Sequence, residues 1–267
     1  MPRYVNGVKI KRYSDAINLV LMRYPSYMKI LDFILRPVPV IPYEFIRRII
    51  RPSRIPCSET PEDLYKDAVD LLTILSGRGL HPLISGSMIY CASNPKSDID
   101  LVFYKHDRRD LEVLLDLERE KVISRLDDED IKRIISEVGE KPDPATHTIL
   151  LRRSIHEHRF RGRIVSLRFV SCDESIRRII CSRIHRTSFF SGSLEVSEDS
   201  HGYHTPSIYM ARDLNSSETI ILYSHRIRYA SLRTGDVIRC EGVLEYDERG
   251  LRRLNLDLSE CYFERSS

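Results

Sequence analysis

The spacing of apolar residues predicts alternating helices and strands between about residues 56 and 186. A helix is predicted from Thr60, an N-cap candidate followed by Pro61, to the glycines Gly77 and Gly79. Its apolar positions have helical spacing: Leu64, Ala68, Leu71, Leu72 and Leu75. Further helices are predicted over residues 107–122, 128–138, 145–155 and 174–186, and a strand over residues 164–170.

The two ends of the chain have different patterns. Residues 1–55 form an N-terminal extension, with strands predicted over 8–12 and 18–24 and a helix over 43–50. The prolines between residues 36 and 42 exclude a helix there. Residues 187–267 are predicted to form a β domain, a small barrel or sandwich that is OB-like. Its strands are predicted over 193–196, 206–211, 219–225, 237–246 and 251–258, the last two joined by a hairpin loop at 247–250.

A pair of aspartates gives the chain its candidate chemistry. Asp98 and Asp100 lie in a predicted strand, so both carboxylates point to one face while Ile99 and Leu101 point into the core. Two carboxylates about 4 Å apart repel by roughly 4 kcal/mol at a protein surface, and a bridging Mg²⁺ relieves that repulsion. Upstream, Gly86 and Ser87 form a predicted turn and helix start, which suits phosphate binding.

A second D-x-D sequence shows how often such pairs arise by chance. Asp128 and Asp130 open a predicted helix, where acidic residues are stabilised by the helix dipole. We interpret them as a solvated helix start. The pair at Asp98 and Asp100 differs because it lies in an apolar strand preceded by a Gly-Ser turn.

At these residues the chain resembles the nucleotidyltransferases of the DNA polymerase beta superfamily. The superfamily signature stands here as Gly86-Ser87 followed by the D-x-D strand of Asp98 and Asp100. More narrowly, the chain resembles uncharacterised archaeal proteins described as predicted nucleotidyltransferases with a C-terminal β-rich part. The segments that carry this likeness are GRIVSLRFV (162–170), HTPSIY (204–209) and TGDVIRCEG (234–242).

The resemblance implies a third carboxylate on a strand beside the D-x-D strand. That residue would act as general base or help to hold the metal at the attacking hydroxyl. The matching position here is Ser166, with Arg168 next on the same face, and neither replaces a carboxylate. Glu157 and Asp173 are the alternatives from flanking segments, and the spacing favours neither.

Composition sets broad limits. No apolar run in the 267 residues approaches the roughly 18–20 needed to span a bilayer, and the N-terminus does not resemble a signal peptide, so we expect a cytoplasmic protein without a membrane partner. The six cysteines lack zinc-site spacing and are predicted to be buried free thiols, although a thermophile-like composition leaves cytosolic disulfides open. Ten arginines between 152 and 186 would attract phosphate, but ion-paired surface arginines are the simpler interpretation.

Two other patterns suggest binding more weakly. The pairs His156/His158 and His201/His204 lack a third ligand at a defined spacing, so hydrated surface histidines are the better interpretation. The segment YSHRIR (223–228) is basic and aromatic and is a candidate surface for single-stranded nucleic acid. Core tyrosines with surface arginines explain it more simply.

Taken with the resemblance, these features predict an α+β nucleotidyltransferase that moves a nucleoside monophosphate from an NTP to an acceptor hydroxyl. Asp98 and Asp100 would hold Mg²⁺ or Mn²⁺, and Gly86 and Ser87 would cradle the terminal phosphates. RNA, a small molecule and a protein side chain are all open as acceptors, and the sequence does not determine the oligomeric state. The alternatives are a degenerate relative that binds nucleotide or RNA without turnover, and a binding or regulatory module centred on the β domain.

Overall fold

The computed structural model describes residues 4–5, 8–9, 13–104, 106–138, 143–171 and 173–264. The fold is mixed α+β, with helices and two large sheets, as predicted. No helix in the described ranges is both long enough and apolar enough to cross a membrane.

The N-terminal region contains two small hairpins and one helix. Strands β1 (Tyr4–Val5) and β2 (Val8–Lys9) pair, as do β3 (Met28–Leu31) and β4 (Ile34–Pro39), and helix α1 (Tyr13–Arg23) lies between the two hairpins. The strand predicted over 18–24 is wrong, because Ala16 and Val20, four residues apart, form the buried side of α1. Residues 10–12 of the other predicted strand lie outside the described residues.

The helix predicted over residues 43–50 is also wrong. A single 3₁₀ turn, Tyr43–Phe45, forms there, and the chain is extended from Ile46. Tyr43, Phe45 and Ile49 are exposed, so a helix in this segment would not be stabilised by burial of these apolar side chains.

The first large sheet has strand order β5-β6-β9-β8-β7, and β11 pairs with β9. Its strands are β5 (Leu83–Ile84), β6 (Ile99–Phe103), β7 (Ser124–Arg125), β8 (Glu157–Phe160), β9 (Arg163–Val170) and β11 (His204–Thr205). The helices between them are α2 (Glu62–Gly77), α3 (Arg108–Arg119), α4 (Asp128–Val138) and α5 (Pro144–Arg152). Strands β6 and β9 run parallel, whereas β8 is antiparallel to β9.

Helices α2 and α3 cover one face of this sheet. The leucine stripe of α2 packs there with Leu114 and Leu117 of α3 and with Ile99, Leu101 and Phe169 of the strands. All five predicted apolar positions of α2 are buried, which confirms the helical spacing. The predicted cap is wrong: Pro61 occupies the N-cap position and no side chain caps the helix, while the Thr60 hydroxyl is buried without a partner among the described residues.

The second large sheet forms a closed circuit of hydrogen-bonded strands, β10-β12-β13-β15-β14-β10, with β16 added to β14. Its strands are β10 (Ile184–His201), β12 (Ser207–Asp213), β13 (Thr219–Ser224), β14 (Val237–Asp247), β15 (Arg252–Asn255) and β16 (Glu260–Phe263). Helix α6 (Glu174–Ile180) precedes them. The prediction that this helix runs to Arg186 is wrong, since β10 already begins at Ile184.

The sequence pattern predicts only a short part of β10 and does not predict β16. Strand β10 has 18 residues because its first half pairs with β14 and its second half with β12. Its first half is largely exposed and so lacks the alternation that identifies a strand. Strand β16 follows a turn at residues 256–259 that the sequence pattern did not predict. The hairpin loop at 247–250 is confirmed, with Asp247 accepting hydrogen bonds from the backbone of Arg249 and Leu251.

Helix α6 packs on the outer face of β12 and β13. Ile176 and Ile180 contact Ile208, Ile221 and Tyr223 there. Beneath the helix, Arg253 is fully buried and donates to Glu245 at 2.8 Å and to the carbonyl oxygen of Ser182 at 2.9 Å. Glu245 lies on the face of β14 opposite its neighbours Leu244 and Tyr246, and that face is buried because α6 covers it.

Four of the cysteines form disulfides, so the prediction of free thiols is wrong for them. Cys57 is bonded to Cys91 and Cys240 to Cys261. The sequence did not reveal the pairs because their members are 34 and 21 residues apart and meet only when the sheets form. Cys181 is free and exposed, and Cys172 lies outside the described residues.

Candidate functional site

Asp98 and Asp100 lie on the sheet face opposite α2 and α3. Asp100 is in β6 and Asp98 directly precedes that strand, while Ile99 and Leu101 are completely buried in the core on the other side. The alternation predicted from the sequence is therefore confirmed. Asp98 is exposed and Asp100 is half-buried, so a ligand can approach both carboxylates from solvent.

Gly86 lies directly against Asp100. A Cβ atom placed on Gly86 would come within 1.8 Å of Oδ2 and 2.7 Å of Cγ of Asp100, and the residue has φ of +64°. Both facts require glycine at this position. The adjacent Ser85 donates its backbone N–H to the carbonyl oxygen of Asp100 at 2.8 Å, which fixes the turn to the strand.

The predicted helix start at this turn is only one 3₁₀ turn, Gly86–Met88. Such a short turn provides little dipole, so the anion-binding contribution expected from a helix N-terminus is small. Ser87 is half-buried, and within the described part of the chain its hydroxyl has no hydrogen-bond partner. The disulfide between Cys57 and Cys91 links the segment before α2 to the segment that follows this turn. The N–H of Cys57 also donates to the carbonyl oxygen of Met88, so the segment before α2 is hydrogen-bonded to the turn itself.

A row of three polar residues crosses the sheet at Asp100. Asp100 pairs in register with Ser166 of β9, and Ser166 pairs with Glu157 of β8. Paired residues of adjacent strands point to the same face, so the three side chains share one face. The Ser166 hydroxyl donates to the Glu157 carboxylate, with oxygens 3.0 and 3.2 Å away.

The environment of Glu157 favours its protonated form. Burial raises the pKa of Glu157 to about 8, and the negative charges of Asp100 and Asp98 add to the rise against the opposing effects of Ser166 and Arg168. The charges of the two aspartates therefore reach Glu157. A carboxyl group with this pKa can gain or lose a proton near neutral pH.

Of the two alternatives for a third carboxylate, the structure brings Glu157 to the site and places Asp173 elsewhere. Asp173 is the N-cap of α6, where it accepts from the N–H of Ser175 at 2.7 Å. The sequence signal that identifies Glu157 is its position between His156 and His158. Both histidines are buried on one face of β8, so alternation places the glutamate on the other face. Among the described residues, no group of three His, Cys, Asp or Glu side chains is arranged to hold a metal ion.

An arginine-rich cleft of about 310 Å³ lies beside Asp98. Asp98, Lys96, Arg133, Arg161 and Arg163 line it. Three of these cations have acidic partners outside the cleft lining: Arg133 with Asp130, Arg161 with Asp67 and Asp70, and Arg163 with Asp67 at 2.7 Å. These acidic partners offset most of the positive charge, so the guanidinium groups of the lining can contact an anionic ligand but give the cleft only a modest preference for one.

A smaller cavity of about 160 Å³ lies beside Glu157. Helices α4 and α5 line one side, and residues 227–231 of the C-terminal region line the other. Arg133 of the cleft and Ile134 of the cavity are consecutive in α4, so this helix separates the two spaces.

The interpretation of the histidine pairs as hydrated surface residues is wrong for His156, His158 and His204, which are buried, whereas His201 is half-buried. His156 and His158 are buried, with Nδ1 of His156 2.8 Å from the carbonyl oxygen of Leu167 and Nε2 of His158 2.9 Å from Glu118. His204 is buried beside His201 and His106, with ring centroids 5.3 and 5.0 Å away. In the YSHRIR segment β13 ends at Ser224, and Tyr223 is a core residue, which agrees with the structural interpretation.

The basic tract between residues 152 and 186 is extensively ion-paired. Arg153 pairs with Asp236, Arg159 with Asp127 and Asp130, and Arg177 with Glu174. Two arginines of this tract, Arg161 and Arg163, line the cleft beside Asp98.

Comparisons with protein-family models, with curated proteins and with solved structures give no match.

Proposed function

We propose that the protein is a Mg²⁺-dependent nucleotidyltransferase of the DNA polymerase beta type, which transfers a nucleoside monophosphate from an NTP to an acceptor hydroxyl. The observation that carries the proposal is the row of Asp100, Ser166 and Glu157 across three strands, with Gly86 against Asp100. The row places a third carboxylate, that of Glu157 in β8, on the same face as Asp100 and two strands away from it.

The residues present suit Mg²⁺ with a nucleotide. Mg²⁺ is usually held by one or two protein carboxylates together with substrate phosphates and water, so the pair of Asp98 and Asp100 is sufficient without a third protein ligand. The absence of a Cβ at position 86 leaves the Asp100 carboxylate free of steric conflict. Mn²⁺ takes the same oxygen ligands. When bound, the metal neutralises the charge that develops on the phosphoryl oxygens.

In the proposed reaction, the arginine-rich cleft beside Asp98 binds phosphates of the NTP. Gly86 and Ser87 approach the terminal phosphates through their backbone and hydroxyl groups. Glu157 accepts the proton of the acceptor hydroxyl, whose oxygen bonds to the α-phosphorus. The bond from that phosphorus to the bridging oxygen breaks, and pyrophosphate leaves.

We propose further that the closed circuit of β10, β12, β13, β15 and β14 is an OB-like barrel. It has five strands, as OB folds do. In OB folds the second and third strands form the face that binds oligonucleotides, and the corresponding strands here are β12 and β13. Helix α6 covers that face. If RNA is the acceptor, it must therefore bind elsewhere on the molecule.

The proposal is tested by incubating the purified protein with labelled NTPs, Mg²⁺ and total RNA. The variants are the double substitution Asp98→Asn/Asp100→Asn, the single substitution Glu157→Gln, and a control, Asp128→Asn/Glu129→Gln, at the exposed start of α4. We expect incorporation by the wild type and the control, loss in the double variant, and a loss of 10²-fold or more in Glu157→Gln. Incorporation that survives in the double variant would exclude this site.

A second candidate is a degenerate relative that binds nucleotide without turnover. Ser166 beside Asp100 favours it, because a serine cannot replace the carboxylate that the resemblance implies there. Mg²⁺-dependent NTP binding that is lost in the double aspartate variant, without incorporation by the wild type on any acceptor, would support this candidate.

A further inference from the structure

The cavity at Glu157 has an aliphatic wall and a polar rim. The aliphatic side chains are Ile134, Leu150, Leu151 and Ile227. The polar lining consists of Glu157, His147, Arg228, Ser154 and Ser231. Its volume of about 160 Å³ is below the roughly 300–1,000 Å³ of sites that enclose a whole drug-sized ligand. An apolar cavity of about 150 Å³ accommodates benzene, so the space suits one ring system.

His147 gives this cavity an unused hydrogen-bonding group. Its side chain is 98% buried, since only 2% is exposed, and among the described residues neither ring nitrogen has a hydrogen-bond partner. Burial, reinforced by the charge of Arg228, lowers the pKa of His147 to about 4, so the ring is neutral at physiological pH. A neutral imidazole has one donor and one acceptor nitrogen, which suits the polar edge of a heterocycle.

Arg228 and Glu157 define how a ligand would lie. Arg228 is only partly buried and brings a permanent positive charge to the cavity lining, where it attracts a phosphate. Glu157 belongs both to the cavity lining and to the row that leads through Ser166 to Asp100. A hydroxyl group that reaches Glu157 from the cavity therefore faces the proposed site of phosphoryl transfer.

We propose that this cavity binds the base of the acceptor, a nucleoside whose sugar hydroxyl points to Glu157. The inference rests on the proposed function for the role of acceptor, but the binding of a nucleoside can be tested independently of it. The base packs between the aliphatic side chains of α4 and α5, and its polar edge hydrogen-bonds to His147. A phosphate attached to the same sugar pairs with Arg228. Two sources share this chemistry, a free mononucleotide and the 3′ end of an RNA.

The test measures binding without turnover. The probes are the four nucleoside 5′-monophosphates and a ten-nucleotide RNA with a free 3′ hydroxyl, measured by calorimetry and fluorescence anisotropy without NTP. Ser231→Leu fills the cavity from the C-terminal side, and Ile134→Trp fills it from α4. Lys29→Ala is the control, since Lys29 is exposed in β3 and lines neither the cavity nor the cleft, and thermal melting shows whether each variant folds.

We expect each cavity-filling variant to weaken binding of the probe at least tenfold, whereas Lys29→Ala leaves that binding unchanged. Binding of mononucleotides identifies a small acceptor, and binding of the RNA alone identifies an RNA end. If the wild type binds no probe, or if the folded variants Ser231→Leu and Ile134→Trp both bind it as tightly as the wild type, the inference is overturned. Probe binding that depends on the cavity, in a protein that never binds Mg²⁺-NTP, would refute the proposed function and leave the nucleoside site intact.

Discussion

At the scale of single residues, Gly86 and Glu157 determine whether the proposed site at Asp98 and Asp100 can bind Mg²⁺-NTP and transfer a phosphoryl group. Neither carries the metal in the proposed site. Gly86 leaves space for the Asp100 carboxylate, and Glu157 provides a group that exchanges a proton near neutral pH. Each can be tested by one substitution.

Substitution of Gly86 by alanine should abolish Mg²⁺-NTP binding, because the new Cβ would overlap the Asp100 carboxylate. The positive φ should also cost about 1–2 kcal/mol of stability. Gly79→Ala is the matched control, since Gly79 has φ of +83° and nothing within 4 Å of its added Cβ. We expect a larger loss of stability in urea denaturation for Gly86→Ala, which adds the overlap with Asp100 to the strain of positive φ, and loss of binding in calorimetry only for Gly86→Ala. Equal nucleotide affinity in the two variants would contradict the proposed role of Gly86.

Glu157 should make the protein less stable as the pH rises. Its pKa is raised from 4.5 in the unfolded chain to about 8 in the fold, so its stabilisation is complete below pH 4.5 and is lost as pH rises through 8. Glu157→Gln removes this loss. Because the side chain is partly exposed, we expect the variant to gain only about 1–2 kcal/mol relative to wild type between pH 5 and 9 without Mg²⁺.

Urea denaturation across this pH range measures the effect, with the exposed Glu59→Gln as control. Addition of Mg²⁺ should reduce the difference between Glu157→Gln and wild type at pH 9, since a cation at Asp98 and Asp100 offsets their charge. A parallel pH dependence of the two proteins would show that Glu157 does not have a raised pKa.

At the scale of elements, the buried pair of Arg253 and Glu245 fixes α6 to the second sheet. Arg253 donates to Glu245 and also to the backbone at the end of α6, including the carbonyl of Ser182. The helix itself has only seven residues, too few to be stable alone. Its position over β12 and β13 therefore depends on apolar packing and on this arginine.

Replacement of Arg253 by methionine should destabilise the protein by about 3–5 kcal/mol, because Glu245 would be left buried without its charged partner. The double variant Arg253→Met/Glu245→Gln should recover part of that loss. Arg212→Met is the control, since Arg212 and its partner Glu195 are largely exposed and their pair should contribute less than about 1 kcal/mol. With the single variant Glu245→Gln added, urea denaturation of the wild type, the two single variants and the double variant gives the coupling energy. A loss in Arg253→Met no larger than in the control would show that the buried pair is not needed.

At the scale of the whole molecule, buried histidines lie where the two large sheets meet. His147 lines the cavity between α5 and residues 227–231, and His204 is in β11, which joins the first sheet from the C-terminal region. Burial lowers the pKa of His147, His156 and His204 to about 4 in each case, and neighbouring His106 and His201 add to the effect at His204. Protonation of these histidines therefore opposes the contact between the first sheet and the C-terminal region.

The protein should lose stability in acid. Each histidine has its folded-state pKa lowered from 6.5, so its stabilisation is present above pH 6.5 and is lost as pH falls towards 4. We expect the melting temperature to fall by about 5 °C or more between pH 7 and 4.5. His204→Asn should reduce this dependence, while the exposed control His185→Asn should not. A melting temperature constant over this range would contradict burial of neutral histidines.

The sequence alone determined the elements whose evidence is local. The face shared by Asp98 and Asp100, the glycine at 86, the boundaries of α4 and the stripe of α2 follow from period-2 or helical spacing within one short segment. Where a segment lacks such spacing, as at residues 18–24 and 43–50 and in the first half of β10, the prediction failed.

Only the tertiary structure decided which distant residues meet. Glu157 lies in one row with Asp100 because β8 pairs with β9 and β9 with β6, and this register depends on three strands that are distant in sequence. The same holds for the disulfide between Cys57 and Cys91, for the burial of Glu245 under α6, and for the cavity between α5 and residues 227–231. The periodicity of one segment records which face is buried but not which other segment covers it, so these contacts appear only when the sheets and helices pack together.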